Sequence, residues 1–165
     1  MSPDPGPGTP RGRGQSSFYS GPVGDDSVPD TPPVRPIFHL SLPVRDLTEA
    51  VAFYRTHLGA TVGRHTDSFA DALVFGAQVT LQDDPSSVSD PMPPTRHFGA
   101  TLPWDEREEV VSRLADDLVV EPPTVSYPGE PVEQAKMMIS YPSGNLIEIK
   151  AYRHPGQVLG PLADG

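Results

Sequence analysis

The chain contains no cysteine. Thiolate nucleophiles, disulfides and cysteine-ligated metals are therefore excluded, and the redox compartment is not readable from thiol usage. It also lacks a long apolar run and a leader built of basic, apolar and small residues. A cytoplasmic location without a membrane partner is the default expectation. Basic residues are scarce: 12 Lys and Arg stand against 22 Asp and Glu, a net charge of −10. That balance argues against nucleic acid or an anionic membrane surface as the main partner.

Proline and glycine are plentiful, 22 and 15, but unevenly placed. Residues 1–35 are rich in Pro, Gly, Ser and Asp and show no hydrophobic period, so a disordered N-terminal extension is expected there. Residues 153–165 read as a flexible tail. A chain of 165 residues suits one domain or two small repeated modules.

Patterned sequence begins at Pro36. Ile37 to Val44 alternates as a strand, with Phe38, Leu40, Leu42 and Val44 on one side and His39 and Ser41 on the other. Asp46 with Glu49 three residues later reads as a capping box. The helix that follows carries Ala50, Phe53, Tyr54 and Leu58 on one stripe and ends at Gly59. Thr61–His65, Phe69–Phe75 and Ala77–Gln82 complete a β-α-β-β-β module over 36–84. Asp83 to Thr95 is a Pro-rich linker.

The same order recurs over 96–152. Arg96–Leu102 is a strand, with His97, Gly99 and Thr101 opposite its apolar side, and Asp105 with Glu108 caps a second helix. Leu118–Val120 is a short strand, and Glu121–Glu133 a Pro-rich loop carrying Tyr127. Gln134–Tyr141 and Leu146–Ala151 form a hairpin around Pro142-Ser-Gly-Asn145. Overlaying the halves brings His39 onto His97, Asp46 to within one residue of Asp105, Gly76 onto Gly144 and Thr80 onto Glu148.

In the last strand Ile147 and Ile149 point one way, and Leu146, Glu148 and Lys150 the other. His39, His97 and Glu148 thus each oppose the apolar side of their strand. If two such sheets curl together, two imidazoles and a carboxylate can meet in the cup, a set that suits Fe(II) with open positions. The plainer reading is a solvated outer face. His57 reads as a helix-end residue, His154 as part of the tail, and His65 as a surface residue or an acid/base group. Lys150 either holds an anionic substrate group or pairs with a carboxylate. Tyr127 and Tyr141 are candidate donors to substrate oxygens, and Tyr141 equally a core residue. Met137 and Met138 read as packing, and Arg45 and Arg64 as surface.

His39-Leu-Ser-Leu-Pro-Val-Arg-Asp-Leu, Phe53-Tyr-Arg-Thr-His-Leu-Gly59, Arg96-His-Phe-Gly and Tyr141-Pro-Ser-Gly-Asn-Leu-Ile-Glu-Ile-Lys150 together resemble the vicinal oxygen chelate superfamily, the glyoxalase, bleomycin-resistance and extradiol-dioxygenase group. The resemblance covers about Pro36 to Tyr152. It implies an α+β fold of paired βαβββ modules forming a cupped, mostly antiparallel sheet, and a homodimer. It also implies a divalent metal on His39, His97 and Glu148: Fe(II) first, with Mn, Co, Ni and Zn open. The fourth family position, a second carboxylate in some members, falls on Thr80, with Gln78 and Gln82 on the same face toward substrate. A three-ligand site leaves room for a chelating substrate and O₂, which favours a dioxygenase. A metal-dependent lyase, isomerase or thiol transferase, and a metal-free drug-binding protein, are the competing expectations.

Overall fold

Strand alternation and one well-capped helix set the first module. A computed structural model of the protein describes residues 36–90, 92–141 and 143–164. The expected extension over 1–35 and the turn residue Pro142 lie outside the described residues. β1 (Phe38–Val44) leads through Asp46 into α1 (Leu47–Leu58). The Asp46 carboxylate accepts the Glu49 N–H at 2.8 Å, a cap that stabilises a helix by ~1 kcal/mol. Leu47, Ala50, Phe53, Tyr54 and Leu58 form the buried stripe, and Gly59, at φ 72°, turns the chain out of the helix. β2 (Thr61–His65), β3 (Phe69–Val74) and β4 (Ala77–Asp83) follow, giving a sheet of order β1-β4-β3-β2. β1 runs parallel to β4, and the other pairs are antiparallel.

The second module repeats this plan. β5 (Phe98–Thr101), α2 (Trp104–Ser112), β6 (Val119–Ser126), β7 (Gln134–Ser140) and β8 (Leu146–Tyr152) build a sheet of order β5-β8-β7-β6, with β5 parallel to β8. Two four-stranded mixed sheets with helices are the α+β architecture expected. One buried cluster joins the modules: Val79 and Leu81 of β4 and the α1 stripe belong to it together with Met137, Ile139, Tyr141, Ile147 and Ile149. Phe53 of α1 lies 4.8 Å from the Tyr141 ring. Polar clasps reinforce the join. The Ser143 hydroxyl accepts the Arg45 N–H at 3.0 Å, and the Asn145 amide donates to the Pro43 carbonyl at 3.4 Å.

Four expectations are corrected. Glu121–Ser126, expected as loop, is strand: β6 is the outer strand of its sheet, where a proline's missing N–H costs no ladder bond, and its register shifts between Glu121 and Thr124 accommodate Pro122 and Pro123. α2 starts at Trp104 with Pro103 at its cap, so Asp105 lies inside the first turn, where its charge still suits the helix dipole. The strand expected over Arg96–Leu102 is shorter, because the turn at 93–96 leaves His97 one residue before β5. The expected loose tail contains α3 (Pro155–Leu159) and a 3₁₀ turn over Gly160–Asp164. Arg153, just before α3, stacks on Trp104 at 3.6 Å and reaches Glu133 at 3.3 Å. No helix among the described residues is long and apolar enough to cross a membrane.

Candidate metal centre

The parallel β5–β8 pair sets Gly99 opposite Glu148 and Thr101 opposite Lys150. His97, two residues before Gly99, therefore falls on the Glu148 side, and its Nε2 lies 3.9 Å from Glu148 Oε2. Two donors each about 2.1 Å from one ion stand about 3.0 Å apart at right-angle positions and about 3.4 Å apart at tetrahedral ones, so the pair would share a cation after closing by about 0.5–0.9 Å. The imidazole is also oriented for that task. Its Nδ1 is 2.7 Å from the Pro94 carbonyl, which can only accept, so Nδ1 carries a proton and Nε2 is the nitrogen turned toward Glu148. A third group bears on the carboxylate: Lys150 Nζ lies 2.9 Å from Glu148 Oε2, and the Glu148 side chain is only 15% exposed. Glu148 raises the Lys150 pKa above its ordinary value against the opposing effect of burial.

Gly99 makes the close strand pairing possible. A Cβ placed there would fall on the Glu148 carbonyl. His97 lines a hollow of about 290 Å³ together with Ser41, Pro43, Ser89, Arg96 and Asn145. Residues of β1 thus border the same hollow as the second-module histidine.

His39 is on β1, the outer strand of its sheet, paired with Gln78 and exposed to solvent. Among the described residues no group of three or more His, Asp or Glu is placed to hold a metal ion. The single chain thus brings together two of the three expected donors, His97 and Glu148, and does not add His39 to them.

The face that His39 shares holds a group sequence reading missed. Asp71 of β3 is almost fully buried and accepts the Thr80 hydroxyl at 2.7 Å and Arg64 Nε at 2.7 Å. Arg64 is exposed, as expected of a surface residue, and is also the counter-ion of Asp71. The signal available was the antiparallel pairing of Asp71 with Thr80, which the Phe69–Ala77 hairpin implies. The Arg64 guanidinium foremost, then the Thr80 and Gln78 donors, hold the Asp71 carboxyl below its ordinary 3.8 although burial opposes them. A depressed carboxylate contributes stability that is complete above its unfolded value and lost as pH falls through the folded one. Acid unfolding is the check: Asp71→Asn should lower stability near neutral pH by ~1–3 kcal/mol and flatten its loss below pH 3.8.

The other expected site residues scatter. Thr80 is buried with its hydroxyl committed to Asp71. Gln78 shares its face, and Gln82 donates to the Ser41 hydroxyl at 3.3 Å. Tyr141 belongs to the core at 1% exposure, its hydroxyl pushed up to about 12 by burial, which corrects the expectation of a substrate contact. Tyr127 is half exposed in the turn after β6, in a left-handed backbone conformation. His65 ends β2 and lines a separate polar hollow with Asp46, Asp67 and Asp83.

Residues 37–149 match the family model of the Glyoxalase/Bleomycin resistance protein/Dioxygenase superfamily. The chain belongs to that superfamily. No curated protein matches it. Among solved structures it is similar to a glyoxalase/bleomycin resistance protein/dioxygenase from Alicyclobacillus acidocaldarius, with 26% identity over 74% of this chain and 96% of that one and a TM-score of 0.63. It is also similar to the fosfomycin resistance protein FosX of Listeria monocytogenes, with 17% identity over 76% and 99% of the chains and a TM-score of 0.60. A further structure of FosX contains Mn(II) and sulfate, with 17% identity over 76% and 97% of the chains and a TM-score of 0.58.

Proposed function

We propose that the protein is a divalent-metal enzyme whose ion is held by His97 and Glu148 of one chain and His39 of a second copy. The observation that carries this reading is the His97–Glu148 approach, with the proton of His97 fixed on the far nitrogen by Pro94. An exposed His39 on an outer strand is free to supply the third donor to a neighbouring chain, which makes a homodimer the working unit. Such a His₂Glu set leaves positions for a small substrate that chelates through two oxygens.

When bound, the ion supplies Lewis acidity, and as Fe(II) it also supplies the capacity to activate O₂. The chain's own residues do the rest. Pro94 orients His97, and Gly99 lets β8 carry Glu148 close to it. Lyase or isomerase chemistry would draw on a base at the repeat-equivalent of Glu148. That position is Thr80, whose proton is donated to Asp71, and Asp71 is itself held as a weak base. The lack of a base there favours a non-haem Fe(II) dioxygenase. Oxygen uptake by anaerobically reconstituted protein, screened against catechols and 2-oxo or hydroxy acids, tests it. Consumption of O₂ with Fe(II) and not with Zn(II) is expected. Turnover without O₂ would overturn the dioxygenase reading in favour of Lewis-acid chemistry, and tight ligand binding by a protein that takes up no metal would overturn the metal centre itself.

A further inference from the structure

The sequence contains only two lysines, Lys136 and Lys150, beside ten arginines. They are separated by 14 positions, yet β7 and β8 pair them directly, Lys136 opposite Lys150. Residues directly opposite in an antiparallel pair have Cβ atoms about 5 Å apart and project from the same face. That face is the one carrying Glu148, two residues from Lys150. Like charges in this arrangement repel and destabilise the pair. In a chain of net charge −10, both lysines of the sequence are thus gathered on one strand pair beside Glu148.

Their present partners leave donors over. Lys150 reaches Glu148 at 2.9 Å and flanks Tyr152, its Nζ 5.9 Å from the ring centre. Lys136 lies 3.9 Å from Glu121, beyond hydrogen-bond distance. Each ammonium carries three donors and is a compact charge on a mobile stem, suited to gathering on one oxyanion. Both side chains are part-buried, 24% and 38% exposed, so an anion between them would be shielded from water on the sheet side. A cation on Glu148 would draw on the same carboxylate that now neutralises Lys150.

We propose that Lys136 and Lys150 form an oxyanion-binding subsite next to the metal centre, so that the substrate is a small molecule bearing a phosphate, phosphonate or carboxylate group in addition to its metal-chelating oxygens. This rests on the metal-enzyme reading for its link to catalysis, while the subsite itself can be measured without metal. The full-length protein labelled with ¹³C-lysine gives two ε-CH₂ signals. Titration of the metal-free protein with inorganic phosphate at constant ionic strength should shift both signals saturably with one midpoint. Lys136→Met and Lys150→Met should each weaken phosphate binding by about 10-fold or more, the loss of one charge-assisted hydrogen bond. Absent or non-saturating shifts, or variants within about twofold of the wild type, would overturn the subsite. If either variant fails to fold, the wild-type titration decides alone. Zinc uptake, counted separately by elemental analysis, distinguishes the two failures. Zinc bound without a phosphate response removes the subsite and leaves the metal centre. A phosphate response in protein that takes up no zinc keeps the subsite and removes the metal centre.

Discussion

Glu148→Ala should abolish stoichiometric metal binding, and His97→Ala should do the same. Replacing groups that merely orient a metal ligand already lowers affinity by about 10–100-fold, so loss of a ligand itself should cost at least ~100-fold. The effect should reach both metal content and turnover, because no further acid among the described residues is grouped with His97 and Glu148 to take over. Glu121 faces Lys136, and Asp71 is committed to Arg64 and Thr80 in the other sheet. Elemental analysis of protein purified with excess Fe(II), Mn(II) or Zn(II) reads the outcome directly. Full metal content in either variant would remove that residue from the centre.

Gly99→Ala carries the largest expected structural cost. The added methyl would land on the backbone of Glu148, which cannot yield as a side-chain tip can. Separating β5 from β8 at this point disturbs the strand that carries Glu148 and the residues leading out of His97. Overpacking of this kind costs ~3 kcal/mol, and urea unfolding should show it together with a fall in metal affinity. Gly156→Ala is the matching control. A Cβ there meets nothing within 4 Å, so stability should stay within about 1 kcal/mol of the wild type.

Local chemistry made much of the fold legible. Asp46 and Gly59 bracket α1 as a cap and a left-handed terminus do, and alternation located β2 through β4 to within a residue or so. The doubled βαβββ plan followed from those signals repeating. Where local chemistry conflicts with sheet position, it misleads: Pro122 and Pro123 disguise β6, which tolerates them because it is an outer strand. The face of each candidate ligand was also legible, since the strand period of two assigns it. Convergence was not, because it depends on how the modules pack. Naming Tyr141 both as a candidate donor and as a core residue left the choice to tertiary packing, in which α1 folds Phe53 and Tyr54 over it. Asp71 escaped notice for a related reason. Its importance lies in Arg64 and Thr80, partners set by a bulge in one pairing and the register of another.

The proposed sharing of one ion between two chains has a direct test. His39→Ala and Glu148→Ala variants, each expected to be metal-poor alone, are unfolded together, refolded as a mixture and assayed for bound metal. In a two-fold dimer with shared centres, each mixed dimer regains one intact site, so metal content should recover to about a quarter of the wild-type value. A mixture that stays as metal-poor as its components, while the wild type treated the same way regains its metal, would contradict a centre built across the dimer.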